Sequence, residues 1–266
     1  MSPNSLLANH VDGQLTKEKE EDVIVSFFSS APDLLRPASL NRPEQDFPVL
    51  SDIECQQFCV RLANTEERRE SANVLIDRMY AWRGYKRGNL TKKDPHRITL
   101  VSYGMDNQVI GTITVGMDAP GGLLADENYR KELDGLRAKG RKVCEFNALA
   151  IDSGIKSKRV ISSLFHIAML YPWGLFGYTD SVIEVTPRHA KFYQRMLGFT
   201  LLGEERVCPR VNVAGVLMHL DFSLADRMIT KVGGLMGKGK SEKSLYPYFF
   251  TKTDGNGILG RLQRMV

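Results

Sequence analysis

Residues 142–165 read KVCEFNALAIDSGIKSKRVISSLF, a strand-like run that gives way to a helical one. Over 142–152 the side chains fit a period of two, as in a β-strand. Val143, Glu145, Asn147, Leu149 and Ile151 then share one face, and Cys144, Phe146, Ala148 and Ala150 the other. Neither face is polar enough to meet solvent, so the strand belongs inside a sheet covered on both sides. Past Asp152 the period changes. Ser157 stands where an N-cap would, and Ile161, Leu164, Phe165 and Ala168 form the stripe of an amphipathic helix. A carboxylate on a central strand loses solvent, which raises its pKa toward the range of a general base. Glu145 is therefore a candidate base; the competing reading is a structural carboxylate satisfied by a nearby basic side chain.

The flanking chain completes a mixed α/β domain, expected over about 51–224. Ser51 to Tyr85 reads as helical. RITLVSY (97–103) and VIGTITVGM (109–117) read as a hairpin around the turn GMDNQ. APGG breaks the sheet, and a helix follows over roughly 125–138, with Asp126 and Glu127 in its first turn and Tyr129, Leu133 and Leu136 on one face. DSVIEV (180–185) is a short strand. TPRHAKFYQRMLGF (186–199) carries Thr186 as N-cap, Pro187 at the first helical position, and Gly198 as a left-handed stop with Phe199 packing back. Two more strands are expected near 199–207 and 213–222. Residues 1–50, with five prolines, read as a flexible N-terminal arm, and 225–266 as a linker and C-terminal extension. Gly234 to Ser241 fits the GxxxxGK[ST] phosphate-loop pattern. The preceding SLADRMITKV is no core strand and too little chain follows, so a basic linker is the better reading.

A net charge of +5 favours an anionic partner without choosing among nucleic acid, acidic protein, anionic lipid or a phosphorylated cofactor. The cysteines and histidines make no metal-ligand spacing; Cys55 and Cys59, four apart, read as reduced thiols on one helix face. Val160 to Tyr178 holds no Asp, Glu, Lys or Arg, yet Pro172 and Gly174 interrupt it. It reads as a core helix ending near Tyr171 instead of a membrane span. With no signal peptide at the start of the sequence, a cytoplasmic protein is expected.

His189 and Tyr193, four apart on helix 187–197, project together beside Phe192 and Met196. Such a pair either gives a proton to a leaving thiolate or fills core space. Here the sequence resembles a known family. RHAKFYQRMLGF looks like the GNAT acyltransferase helix that ends in FYxxxGF, and CEFNALAID is similar to that superfamily's strand E-x-x-x-L-A-V. GLLADENYRKELDGLRAKGRKVCEFNALAID, SLFHIAMLY and IEVTPRHAKFYQRMLGF together look like the FeeM-type N-acyl amino acid synthases, relatives of the acyl-homoserine-lactone synthases, over roughly 55–222.

The resemblance implies a GNAT-like mixed central sheet with a splayed strand pair flanked by helices. It also implies transfer of a long-chain fatty acyl group from acyl carrier protein to the amine of an amino acid or similar small amine. Ordinary GNATs bind coenzyme A pyrophosphate on a Gly-rich turn, and SGIKSKRVISS lacks that G-x-G. In this reading Glu145 deprotonates the amine, backbone amides near Phe146, Asn147, Ala148 and Leu149 polarise the thioester, and Tyr193 with His189 protonates the thiolate. Leu123, Leu124, Tyr129, Leu133 and Phe165 are candidates for the acyl slot. Lys139, Arg141, Lys142, Lys156, Lys158 and Arg159 would dock the acidic carrier. No metal, tightly bound cofactor or nucleic acid is expected. Two alternatives stand beside this reading: an acyl-CoA-dependent N-acetyltransferase, and a non-enzymatic acyl-group sensor.

Overall fold

The computed structural model describes residues 22–27, 57–81, 94–236 and 242–266. Its strands are β1 (Val23–Phe27), β2 (Phe58–Leu62), β3 (Arg97–Gly104), β4 (Val109–Met117), β5 (Val143–Ile151), β6 (Asp180–Val185), β7 (Thr200–Cys208) and β8 (Val213–Asp221). Between and after them lie α1 (Glu66–Ala81), α2 (Asp126–Arg137), α3 (Lys158–Leu170), α4 (Pro187–Leu197), α5 (Phe222–Val232) and α6 (Lys252–Met265). The strands form one sheet in the order β1-β2-β3-β4-β5-β6-β8-β7. Neighbours run antiparallel except the central pair β5 and β6. α3 crosses between these two, as a parallel pair requires.

Helices cover both faces of the sheet. On one, Tyr129, Leu133 and Leu136 of α2 pack on Val143, Val182 and Leu217, while Ala72 of α1 meets Val101 and Tyr103. On the other, Cys144 and Phe146 join Ile161, Leu164 and Phe165 of α3 and Tyr193 and Leu197 of α4 in the main core. The hairpin β3–β4, the helix over 126–137 and the helix 187–197 lie where the sequence pattern puts them. α3 ends at Leu170 and runs into a π-turn over Tyr171–Leu175 that contains Pro172. Among the described residues, no helix is long and apolar enough to cross a membrane.

The two ends of the chain differ from the sequence reading. VIVSF, inside the expected arm, is the edge strand β1, paired with FCVRL of β2 where a helix was expected. β2 alternates buried and half-buried residues, but five residues among many charges are too short for period two to stand out. Cys59 therefore sits on a strand, and Cys55 lies outside the described residues. The segment beyond 224 enters the main core through Leu245, Tyr246, Phe249, Ile258 and Leu262. Tyr246 donates its hydroxyl proton to the Leu197 carbonyl at 2.7 Å. His166 of α3, held neutral by burial with its pKa pushed down to about 3, accepts the Phe250 amide at 3.0 Å. SLADRMITKV folds as α5, and most of the phosphate-loop lookalike after it lies outside the described residues.

Phe249 is 1% exposed and stacks on His166 at 4.8 Å, so its truncation opens a cavity between α3 and the C-terminal segment. Phe249→Ala should lower unfolding free energy by roughly 3–5 kcal/mol in urea titration. A loss under 1 kcal/mol would mean that this segment adds nothing to the core.

Candidate active site

The ladder between β4 and β5 pairs Glu145 with Gly116 and Asn147 with Thr114, then resumes at Ala150 with Thr112. One extra residue is accommodated at Ala148, which takes a left-handed φ of 48°. The freed carbonyls have partners: Ala148 accepts the Thr112 hydroxyl at 3.0 Å and Leu149 the Tyr80 hydroxyl at 2.6 Å. The bulge overturns strict alternation along 142–152. Ala150, opposite Thr112, joins the face of Glu145, and Ile151 turns to the α3 face, where it meets Gly111 beside Leu164.

On its other edge, β5 pairs with β6 only as far as Glu145 opposite Val182. β6 continues alongside β8 to Val185 opposite Val216. The two central strands part there, leaving the β6 edge of Phe146 to Leu149 without a strand partner and Asn147, Ala148 and Leu149 half-buried.

Glu145 stands at the fork. It is 2% exposed, and its Oε2 accepts the Ala125 amide at 3.1 Å. Burial pushes its pKa up to about 7; the Ala125 N–H and the Arg210 guanidinium oppose that rise, and the Glu184 carboxylate adds to it. It closes the floor of a cleft of about 360 Å³ whose walls include Arg97, Gly116, Met117, Leu123 and Leu124. The loop over it is braced. Asp126 accepts the Leu123 amide at 2.7 Å and two bonds from Arg137, and Arg210 donates to the Leu124 carbonyl at 2.6 Å while pairing with Glu127 and Glu184.

Tyr193 lies on the opposite face. Its ring packs edge-on against Phe165 at 6.3 Å and Phe199 at 5.9 Å, and Phe165 reaches Phe146 at 6.4 Å. His189 is buried one turn earlier, with Nδ1 3.0 Å from the Thr186 hydroxyl. Thr186 occupies the N-cap position, but its hydroxyl meets this ring and makes no backbone cap; Ser157 likewise forms no side-chain cap. Glu145 and Tyr193 thus lie on opposite faces of the sheet, Tyr193 linked to β5 through Phe165 and Phe146.

The structure does not gather the expected acyl slot. Leu123 and Leu124 line the Glu145 cleft. Tyr129 and Leu133 are fully buried beneath α2, the Tyr129 hydroxyl spent on the carbonyls of Glu204 and Gly215, and Phe165 belongs to the other layer. Nor do the six basic residues form one patch. Lys139, Arg141 and Lys142 precede β5, and Lys156, Lys158 and Arg159 follow it, roughly 30 Å away along the strand. Arg141 is engaged by Asp180 and Asp221, while Lys158 and Arg159 lie over the rings of Tyr248 and Phe27. Among the described residues, no group of three or more His, Cys, Asp and Glu could hold a metal ion.

The sequence reading passed over Arg97, Gly116 and Arg210. Gly116 carried the only usable signal, a glycine inside an apolar strand, which marks a close approach or an open space.

A sequence model of N-acyl amino acid synthase FeeM matches residues 71–221. The chain belongs to the FeeM N-acyl amino acid synthase family. It is an N-acyltransferase on a GNAT-like mixed sheet. The structure of FeeM, an N-acyl amino acid synthase from uncultured soil microbes, is similar at 24% identity and TM-score 0.58, over 64% of this chain and 92% of that one. An acyl-CoA N-acyltransferase from Pseudomonas aeruginosa matches at 13% identity and TM-score 0.44, over 62% and 98% of the two chains. The acyl-homoserine-lactone (AHL) synthase LasI matches at 14% and 0.44, over 62% and 90%. No curated protein sequence matches the chain.

The raised Glu145 carboxyl has a consequence for stability. It ionises at about 7 when folded against 4.5 ordinarily, so the unfolded state releases its proton first as pH rises, and wild type loses stability between those values. Glu145→Gln keeps an acceptor for the Ala125 amide and should be more stable than wild type at pH 8, by up to roughly 3 kcal/mol, with the advantage fading toward pH 4. Urea titrations at both pH values test this; no advantage at pH 8 would mean that Glu145 ionises as readily folded as unfolded.

Proposed function

We propose that the protein moves a long-chain fatty acyl group from the phosphopantetheine thioester of acyl carrier protein to the amine of an amino acid, giving an N-acyl amino acid. The observation that carries this reading is the placement of Glu145, buried and half-ionised near neutrality, at the fork where β5 leaves β6. The acceptor enters the cleft as an ammonium and gives a proton to Glu145. Its nitrogen attacks the thioester carbonyl in the fork, where backbone amides near Phe146 to Leu149 meet the developing oxyanion. The carbon–sulfur bond breaks, and Tyr193, supported by His189, protonates the departing thiolate on the opposite face. Glu145 passes the first proton to solvent and then takes the nitrogen's second, which it also releases, and solvent returns a proton to the Tyr193 phenolate, so both groups end as they began. Leu123 and Leu124 lie beside the start of the acyl chain.

Of the two basic groups, Lys156, Lys158 and Arg159 follow the end of β5 that has parted from β6, so an acidic carrier docked there would present its arm to the fork. Their glycine-poor turn supports a carrier protein over free coenzyme A, whose pyrophosphate needs open backbone amides. A carrier-protein donor places the reaction in the cytoplasm.

Mass spectrometry of lipids from cells expressing wild type or Glu145→Gln tests the reaction. New N-acyl amino acids are expected with wild type and not with the variant; folded wild type that yields no acyl amide overturns the proposal. With purified enzyme, kcat/KM should climb as pH rises through about 7 and level off above it, because the base acts ionised. Hexadecanoyl-carrier protein should outperform hexadecanoyl-coenzyme A, and charge reversal at Lys156 should weaken the first donor alone. Equal use of both donors would move the reading to a coenzyme-A-dependent enzyme.

A further inference from the structure

On the face that carries Glu145, the sheet register sets three residues in a row across three strands: Arg97 of β3 opposite Gly116 of β4, and Gly116 opposite Glu145 of β5. Two strand spacings, roughly 9.5 Å, separate the outer two backbones. The middle position holds no side chain. A Cβ built on Gly116 would meet nothing closer than the Glu145 carbonyl at 3.9 Å and the Asn147 Nδ2 at 4.0 Å, so the span between Arg97 and Glu145 is open space inside the cleft.

The donors around that space lack acceptors. The buried Nε of Arg97 and the buried Nδ2 of Asn147 make no hydrogen bond, and Arg97 makes no ion pair among the described residues. Three other arginines around the cleft are committed: Arg137 to Asp118, Asp126 and Asp134, Arg206 to Glu132, Arg210 to Glu127 and Glu184. Asp94, at the cleft mouth, is exposed and accepts the His96 amide at 2.9 Å. A half-buried guanidinium with no acceptor among the described residues is costly, and its planar fork matches a carboxylate. An α-amino acid carries its carboxylate one carbon from its amine. With the amine at Glu145, the carboxylate falls over Gly116, within reach of Arg97 and Asn147.

We infer that Arg97 holds the carboxylate of the acceptor across Gly116 from Glu145, and thereby selects amino acids over amines that lack a carboxylate. The inference rests on the acyl-transfer reading above and adds the group that recognises the acceptor.

The test compares L-phenylalanine with phenethylamine, and L-leucine with 3-methylbutylamine, using hexadecanoyl-carrier protein or hexadecanoyl-coenzyme A as donor. Each pair differs only in the carboxylate. Wild type should favour the amino acid in each pair, and Arg97→Met should raise its KM by roughly 10- to 100-fold with little change in kcat. The two amines should respond to Arg97→Met by less than about threefold, and Arg97→Lys should recover part of the loss. Gly116→Val, which obstructs the span, should raise the amino-acid KM by roughly tenfold. If Arg97→Met depresses amines and amino acids equally, or neither, or if wild type prefers the amines, the assignment of Arg97 is overturned while acyl transfer stands. A wild type that acylates none of the four compounds with either donor overturns both.

Discussion

At Ala148 the backbone takes a left-handed turn that a residue with a β-carbon adopts at a cost on the order of 1 kcal/mol. Hydrogen bonds from Thr112 and Tyr80 hold the carbonyls of Ala148 and Leu149 and offset that cost. The site depends on this irregularity. A bulge bends and twists the strand that carries it, and β5 leaves its parallel partner directly before the bulge. Were the strand regular, β5 and β6 would stay paired along their length, the amides after Glu145 would be spent on the ladder, and the two faces of the sheet would not communicate.

Two carboxylates buried on the same face show how the surroundings decide what each can do. Burial alone would raise Asp180, but bonds from His219, Arg141 and Thr179 outweigh it and hold its pKa down to about 2. It is a permanent anion that ties β6 and β8 to the start of β5. Glu145, two residues along β5 from the pairing partner of Asp180, receives one backbone amide and no ion pair among the described residues. With so little compensation, its burial carries it to about 7. The braces supplied by Arg210 and Arg137 stop at the loop above it, which keeps the cleft in shape without neutralising its floor. A single salt bridge to Glu145 would have held its carboxyl down, as the partners of Asp180 do there.

Much of this was legible in the residues. The period change after Asp152, the hairpin 97–117 and the punctuation of TPRHAKFYQRMLGF locate three strands and two helices. DSVIEV, the two strands expected after Gly198 and the helix after APGG add three more strands and a third helix. The central placement of Glu145 follows from apolar neighbours on both sides. What stayed hidden depends on partners distant in the chain. VIVSF and FCVRL become strands only against each other and β3, since strand stability resides in cross-strand contacts. The bulge leaves no mark, because Ala148 is no glycine and its turn is held by residues 36 positions before it and, through Leu149, 69 positions before. Arg97 and Gly116 read as an ordinary strand start and an ordinary strand glycine until register sets them beside Glu145. The resemblance to FeeM-type synthases named the chemistry, yet gave no hint that its candidate apolar residues fall in separate layers.

The fork also separates two tasks. In the proposed reaction the acceptor meets the carbonyl from the face of Glu145, and the thiol leaves on the face of Tyr193, so attack and departure occur from opposite sides of the sheet. Each side is built from different elements: β3, β4 and the loop before α2 on one, α3 and α4 on the other. In that proposal a side chain altered at Arg97 or Gly116 would change which amine is held, and neither residue is among the rings packed around Tyr193, which include Phe165 and Phe199. Conversely, in the proposed reaction a change on α4 would act on the departing thiol, since Tyr193 lies on the face opposite Glu145. β5 carries Glu145 on one face and Phe146 on the next, so the bulge in that strand lies between the two sides.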